Sequence, residues 1–213
     1  MTREKKQVLT VKNIRNVNME NILQSILRKR ETTRSVLSKE NNISLMTVKH
    51  VVDDLIEAKI LVEKDSCNSD VGRNPKVLEI AENYGNIVCV NLTSKDEISF
   101  LIYDIYENLL KEQSMLLHQD RPYREELAAA IAAIQAELKT IPSLTVGVAV
   151  FVPSAYDASV DLVNYDLIPE FKELHIRSLF EEKFEINNIL ILHDVFAAAR
   201  SEYDSLNPKM ESQ

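Results

Sequence analysis

Residues 33–58 read TRSVLSKENNISLMTVKHVVDDLIEA, and this stretch decides the fold of the N-terminal part of the chain. Its apolar residues indicate a short helix around Val36 and Leu37, followed by a second helix with an apolar stripe at helical spacing, namely Val48, Val51, Val52 and Leu55. The polar residues between the two helices, Glu40-Asn41-Asn42, favour a turn. Ser44 can cap the second helix because its hydroxyl can accept a backbone N–H of the first turn. The pattern therefore predicts a helix-turn-helix whose second helix begins at Ser44.

The sequence on both sides of this stretch completes a winged helix-turn-helix. Residues 21–30 (NILQSILRKR) predict an amphipathic helix, and residues 59–64 and 76–80 are short β-prone runs. The intervening residues 65–75 (DSCNSDVGRNP) are rich in turn-forming types. Three helices followed by a β-hairpin predict an α+β domain over residues 1–80.

Basic residues are concentrated in this N-terminal part. Residues 1–78 hold 15 Lys and Arg against 10 Asp and Glu, a net charge of +5, whereas residues 79–213 hold 10 against 23, a net charge of −13. Because phosphate neutralisation contributes strongly to DNA affinity, this local surplus matters more than the acidic total of −8. The charge and the motif together predict DNA binding.

The residues predicted to contact DNA fall into three groups. Basic side chains beside the second helix are expected to contact phosphate, and side chains near its exposed start are expected to reach base edges. Arg73, in the wing loop, is expected near the minor groove. The full set of candidates is Arg28, Lys29, Arg34, Ser44, Met46, Thr47, Lys49, His50 and Arg73. A helical hairpin with a merely solvated polar face, and a helix-turn-helix that binds protein, remain alternatives.

Length and composition limit the class of protein. The chain has 213 residues and 45% hydrophobic residues, which is enough for two domains with a buried core. It has no long uncharged apolar run, and its first residues, MTREKKQ, lack the apolar core of a signal peptide. Cys67 and Cys89 have no CxxC spacing, and we expect a free exposed thiol and a core residue, respectively. A cytoplasmic protein with no membrane association is therefore expected.

The residues that follow, 81–213, predict an α/β domain with a mixed sheet. The pattern first indicates three strands, a helix and a continuous apolar strand, at residues 86–93, 98–104, 109–117, 123–140 and 144–152. We expect the last of these strands to be covered on both faces. After a loop over residues 153–169, it indicates a helix, a strand and a helix, at residues 171–184, 188–192 and 195–203.

Four runs of the sequence carry a resemblance to a known family. They are TVKHVVDDLIEAKILVEKD, the wing element Gly72-Arg73-Asn74-Pro75, VGVAVFVPSAYD, and KELHIRSLFEEKFEINNILILHDVFAAARSE. They resemble the ROK family, named for its repressors, open reading frames and kinases, in which the second element reads GR-x-P and the last ends in E-N-D-A-N-A-A-A-x-A-E. The resemblance implies a winged helix-turn-helix followed by an RNase H/actin-like α/β half-domain. The chain looks truncated after the first actin-like lobe.

The catalytic pattern of the family is incomplete in this sequence. ROK kinases open the domain with a D-x-G-G-T phosphate loop, but the matching place reads Asn91-Leu92-Thr93-Ser94, without glycine or an acidic residue. Of the E-N-D triplet only Asp194 remains, and it could serve as a helix N-cap instead of a general base. Asn164 corresponds to a sugar contact of the family or is an exposed loop residue. The family's zinc ligands would lie beyond Gln213, and we predict no metal site and no cofactor.

The resemblance and the departures from it predict a transcriptional repressor without kinase activity. A single winged helix contacts a short site, so we expect a homodimer on a pseudo-palindromic operator of double-stranded DNA. Helices at residues 127–138 and around Val195 are the expected dimer contacts, unless they only cover their own sheet. A sugar effector at a vestigial site formed by Asn164 and Asp194 is kept as a hypothesis. The alternative from another class of protein is a ROK-type sugar kinase. Against it, the second lobe that would close the nucleotide cleft is missing from the sequence.

Overall fold

The computed structural model describes residues 11–65, 76–165, 168–195, 197–199 and 202. The chain divides into two units, Met1–Tyr84 and Gly85–Gln213. None of the helices in the described residues combines the length and apolarity that a bilayer span requires.

The first unit consists of three helices and a β-hairpin. The helices are α1 (Val11–Lys29), α2 (Arg34–Glu40) and α3 (Leu45–Glu57), and the strands are β1 (Leu61–Asp65) and β2 (Lys76–Ile80). The two strands pair antiparallel, from Leu61 opposite Ile80 to Asp65 opposite Lys76. This order is the one predicted for a winged helix-turn-helix. The predicted element Gly72-Arg73-Asn74-Pro75, with candidate residue Arg73, lies outside the described residues, as does Cys67.

The core of the first unit contains the predicted apolar stripes. Ile22 and Ile26 of α1 and Leu37 of α2 are fully buried, together with the stripe of α3, Val48, Val51, Val52 and Leu55. The segment between α1 and α2 is tied to the hairpin, because Thr32 and Leu78 exchange two backbone hydrogen bonds of 3.1 and 2.7 Å. The predicted start of the first helix at residue 21 was wrong, since α1 already begins at Val11.

The second unit contains a five-stranded mixed sheet. Its elements are β3 (Gly85–Asn91), β4 (Glu97–Asp104), β5 (Leu109–Leu116), α4 (Tyr123–Leu138), β6 (Leu144–Val152), β7 (Tyr156–Asp157), β8 (Leu162–Val163), a 3₁₀ turn (Pro169–Lys172), α5 (Ile176–Phe184) and β9 (Ile189–His193). The strand order is β5-β4-β3-β6-β9. β3, β4 and β5 pair antiparallel, whereas β6 pairs parallel with both β3 and β9. The predicted α/β fold with a mixed sheet is confirmed.

One face of this sheet forms the main core. Alternate strand residues such as Val88, Val90 and Phe100 are fully buried and belong to one cluster with Leu127 of α4 and Phe180 of α5. Residues between them point to the other face and are only partly buried. Two predictions were therefore wrong. Cys89 is half-buried instead of a core residue, and β6 begins at an exposed Leu144 and alternates between buried and half-buried positions from Val148 on, instead of being covered on both faces.

The segment after β6 is more structured than the predicted loop. β7 and β8 form a small antiparallel hairpin, and the predicted helix over residues 171–184 begins only at Ile176. His175 has φ −77° and ψ 84°, which is not helical and separates α5 from the 3₁₀ turn. After β9, residues Asp194, Val195, 197–199 and 202 are helical.

Asp161 joins the new hairpin to α5. It has a positive φ of 56°, and its carboxylate accepts the backbone N–H groups of Arg177 and Ser178 at 2.8 and 2.9 Å. It also accepts the hydroxyls of Ser178 and Tyr156 at 2.8 and 3.0 Å. Burial alone would raise the pKa of Asp161, but these hydrogen bonds outweigh it and lower the pKa below its usual value. Arg177 extends the cluster to β9 by donating to the Ile189 carbonyl at 2.6 Å.

Candidate nucleic-acid interface

The turn between α2 and α3 is closed by polar side chains of the predicted motif. Asn41 donates its side-chain amide to the Leu37 carbonyl at 3.0 Å, and Asn42 adopts a positive φ of 51°. Ser38 donates its hydroxyl to the Ile43 carbonyl at 2.7 Å. These bonds satisfy polar groups at the end of α2 and fix the turn that leads into α3.

Ser44 is the N-cap of α3, as its position in the sequence predicted. Its backbone is extended, with φ −64° and ψ 147°, and its Oγ accepts the Thr47 N–H at 3.1 Å. The hydroxyls of Ser44 and Thr47 also lie 2.9 Å apart. Ser44 therefore fixes the first turn of α3 through hydrogen bonds with the backbone and the side chain of Thr47.

The outward side of α3 differs between its two halves. In the N-terminal half, Lys49 and His50 are exposed and Thr47 is half-buried. In the C-terminal half, Asp53 pairs with Arg34 of α2 and Asp54 pairs with Arg15 of α1. The C-terminal half is thus tied to its neighbours within the unit, and its carboxylates would repel a phosphate. The N-terminal half is the part of α3 available to an external partner, which is the end that recognition helices present to bases.

The basic candidate side chains differ in whether they are paired with other residues of the chain. Arg28 and Lys49 are exposed, and neither forms an ion pair with the described part of the chain. Lys29 forms an ion pair with Glu40 at the end of α2. Arg28 and Lys29 form the basic last turn of α1. Arg28 and Lys49 are consequently the better placed of the candidates for contacts with phosphate.

Arg34 has an internal role that the sequence did not reveal. Its guanidinium donates to Asp53 of α3 at 3.1 Å and to Glu63 of β1, and Glu63 in turn accepts from Lys76 of β2 at 2.9 Å. Only 26% of the Arg34 side chain is exposed. Burial would lower the pKa of Arg34, but the bonds to Glu63 and Asp53 outweigh it and raise the pKa. Glu63 shows the opposite shift, with its pKa lowered against the effect of burial by bonds from Lys76 and Arg34.

Leu45 also belongs to this surface, because it lies at the exposed start of α3, where side chains are expected to reach base edges. Its side chain is 57% exposed, next to Met46, which is 62% exposed. Neither side chain is buried with the stripe of α3. Leu45 lies three residues before Val48 and seven before Val52, so its spacing matches the stripe and its exposure is not predictable from the sequence.

Asn164 and Asp194, the residues predicted to form a vestigial sugar site, share no hydrogen bond within the described part of the chain. Asn164 is exposed in the loop after β8 and forms no side-chain hydrogen bond with the described residues. Asp194 is partly exposed, accepts the Val195 N–H at 2.7 Å and lies 3.5 Å from Nε2 of His193. Among the described residues, no cluster of three or more His, Cys, Asp or Glu could hold a metal ion.

The turn that replaces the phosphate loop uses its own backbone donors. The Leu92 N–H donates to the Phe151 carbonyl of β6 at 2.9 Å, and the Thr93 N–H donates to the Asn91 side chain at 3.0 Å. The Asp96 N–H donates to Oγ of Ser94 at 3.1 Å. A phosphate cradle needs free backbone N–H groups that point at the ligand, and these three are already engaged.

Comparison with known proteins identifies relatives among regulators. No family model matches the chain. The chain is 22% identical over 174 residues to a putative xylose repressor of Caldicellulosiruptor sp. (strain Rt8B.4), covering 80% of this chain and 43% of that protein. It is also 22% identical over 178 residues to the xylose repressor of Caldicellulosiruptor bescii, covering 81% and 44%. The chain therefore spans less than half the length of the curated relatives it matches.

A solved structure supports the same assignment of the fold. The crystal structure of a ROK family transcriptional regulator, a homologue of the E. coli MLC protein, superposes with a TM-score of 0.67 and 17% identity. The match covers 89% of this chain and 48% of that one, so it includes residues of both units. The resemblance predicted from the sequence runs is therefore confirmed at the level of the fold, which this chain shares with a ROK family transcriptional regulator, and two xylose repressors are similar to it in sequence.

Proposed function

We propose that the chain is a DNA-binding transcriptional regulator of the ROK type that acts as a repressor in the cytoplasm. The observation that carries the proposal is the free N-terminal half of α3, with exposed Lys49 and His50, in a helix whose C-terminal half is tied to Arg15 and Arg34 by ion pairs. The repressor names of the two sequence relatives support the direction of regulation. The similar fold of a ROK regulator supports the class.

In this proposal residues 1–80 bind DNA and residues 81–213 form a lobe similar to the first lobe of a ROK protein. Arg28, Lys29 and Lys49 contact phosphate. Met46, Thr47 and His50 reach base edges, and Arg73 of the wing lies near the minor groove. We leave Arg34 out of the phosphate contacts because its guanidinium is held by two carboxylates.

Selection of bound duplexes from a random pool with the intact protein tests the proposal. We expect an enriched pseudo-palindrome, and we expect a Lys49→Ala, His50→Ala double variant to lose retardation of it in electrophoresis. Lys139→Ala is a matched control, because it removes an equally exposed charge from the C-terminal end of α4. Unchanged retardation by the double variant would remove α3 from its assigned role, and failure to enrich any DNA would refute the proposed function.

The regulator is proposed to act as a homodimer held by residues 81–213. Two copies of one reading helix match the two halves of a pseudo-palindrome, and two half-sites multiply the modest specificity of one. The alanine-rich outer face of α4 supports this contact, since Ala128, Ala129 and Ala132 are exposed and allow close approach. Sedimentation equilibrium of the intact chain should give twice the mass of 24.3 kDa. Substitution of Ala129 by Arg should return it to that of a monomer, and a monomeric wild-type chain would refute the contact.

A sugar is proposed to change the affinity for DNA. The names of the two relatives point to xylose as the first probe, and Asn164 and Asp194 are the proposed contacts. D-xylose should weaken operator retardation by the wild-type protein and have less effect on Asp194→Asn. An equal response of both proteins would place the sugar elsewhere, and no response to xylose or other pentoses and hexoses would refute this part of the proposal.

The proposed function includes no phosphoryl transfer. The turn at residues 91–94 lacks glycine, and the backbone N–H groups of Leu92 and Thr93 are already engaged, which supports this part of the proposal. A coupled ATP assay over hexoses, amino sugars and D-xylose should show no turnover above that of a boiled sample. Turnover that disappears in Asp194→Asn would contradict this and identify a sugar kinase.

A further inference from the structure

The reading helix is poor in the residue types that usually identify purines. Within α3, Leu45–Glu57, there is no Arg, Asn or Gln. Those side chains and Lys make the bidentate hydrogen bonds that distinguish guanine and adenine in the major groove, and of these types α3 carries only Lys49. Discrimination by α3 therefore draws on other kinds of contact as well.

The first turn of α3 instead presents two large apolar side chains to solvent. Leu45 and Met46 are 57% and 62% exposed, whereas all four residues of the buried stripe are at most 2% exposed. Neither side chain is part of the core of its unit. They lie at the end of the helix that Ser44 positions and that the internal ion pairs of α3 leave free.

The charge around these side chains narrows the choice of partner. Lys49 lies one helical turn after Leu45 on the exposed side, and Arg28, which forms no ion pair with the described residues, supplies further positive charge in the same unit. An occupant must therefore combine small apolar groups with a negatively charged frame. The major groove of DNA offers this combination at thymine, whose C5 methyl group is the apolar feature of its edge.

We propose that Met46, with Leu45 beside it, reads thymine through the C5 methyl group. The operator half-sites then contain thymine at the base pairs that face the first turn of α3. This inference rests on the proposed DNA-binding function and adds the base that the helix selects. Met46 is in this sense a specificity-determining residue, whereas Lys49 contributes affinity to any sequence.

Replacement of single thymines by deoxyuridine in the selected operator tests the inference. The change removes only the methyl group and keeps the pairing with adenine. At one or two positions of each half-site we expect affinity to fall about fourfold, the effect of one buried methyl-sized group. In Met46→Ala or Leu45→Ala that difference between thymine and uracil should disappear at the position read by the substituted side chain.

Lys49→Ala is the matched control, because it should weaken the thymine and uracil duplexes equally and keep their ratio. If no uracil substitution changes the affinity while Lys49→Ala still weakens binding, DNA recognition stands and thymine reading is wrong. If the ratio persists in both Met46→Ala and Leu45→Ala, other residues read the methyl groups and the assignment is overturned. If selection enriches no duplex, the proposed function itself fails, and this inference fails with it.

Discussion

Single residues act on the proposed interface mainly by fixing the backbone that presents it. Ser44 is the example at the start of α3, since one hydroxyl satisfies an N–H that would otherwise lack a partner in the helix. Neither Leu45 nor Met46 forms such a bond with its side chain. The orientation of Leu45 and Met46 toward a partner therefore depends on the cap formed by Ser44.

Ser44→Ala should lower the free energy of unfolding of the first unit by about 1 kcal/mol, the usual cost of losing an N-cap. Urea denaturation followed by circular dichroism measures this. Glu57→Ala is the control on the same helix, because removing an acid from the last turn should leave the stability unchanged or slightly raise it. Equal stabilities of wild type and Ser44→Ala would show that water replaces the cap without cost.

Arg34 holds α2 to α3 and β1 by ion pairs. Its replacement should therefore change the salt dependence of DNA binding differently from the loss of a phosphate contact. Arg34→Gln breaks the links from α2 to α3 and β1, so operator affinity should fall and the unfolding free energy should drop by about 1 kcal/mol. The slope of log affinity against log salt should stay that of the wild type, because no phosphate contact is lost. A slope reduced as in Lys49→Ala would return Arg34 to the phosphate contacts predicted from the sequence.

At the scale of elements, the hairpin β7–β8 and helix α5 depend on one carboxylate. Asp161 has a lowered pKa in the folded chain, so its contribution to stability is fully present above the pKa of the unfolded state, about 3.9. It is lost as the pH falls through the folded value. Acid should therefore weaken the contact between α5 and the hairpin.

Asp161→Asn should make the second unit less stable at pH 7 and should reduce the part of the stability that is lost on acidification below about pH 5. Thermal unfolding of wild type and variant between about pH 3 and 7, monitored by circular dichroism, measures both effects, because carboxyl groups titrate within this range. Asp120→Asn is the control, since Asp120 is exposed and has no hydrogen bond with the described residues. Parallel pH profiles of wild type and Asp161→Asn would rule out this role of Asp161.

Elements with one clear spacing of apolar residues were predictable, and those shaped by distant partners were not. The stripe of α3 and the alternation of β4 appear directly in the sequence. The first half of α1 does not, because its described apolar residues Ile14 and Val17 are exposed and form no buried stripe. In the site, the cap at Ser44 is local and was predicted. The internal bonds of Arg34 were not predicted, because its partners lie 19 and 29 residues away in sequence.

At the scale of the whole molecule, the two parts of the chain differ in the sign of their charge, and only the basic part favours DNA. Binding should therefore depend strongly on salt, with a slope of about 0.9 for each phosphate contact. A dimer on two half-sites uses every contact twice. Lys49→Ala should then reduce the slope by about 1.8 in a dimer and by about 0.9 in a monomer, since each contact releases its own counterions. Binding titrations over a range of salt concentrations distinguish these values, and an unchanged slope would show that Lys49 does not contact phosphate.

The order of strands in the sheet has a consequence for how the chain reaches its fold. β3, β4 and β5 are consecutive and antiparallel, so they can pair through short turns as soon as they are synthesised. β6 must find β3 across a long connection, and its other edge remains unpaired until β9 arrives. During that interval the run LTVGVAVFV is an apolar strand with a free edge. We expect this run to be the segment of the nascent chain most prone to aggregation and most in need of protection by chaperones.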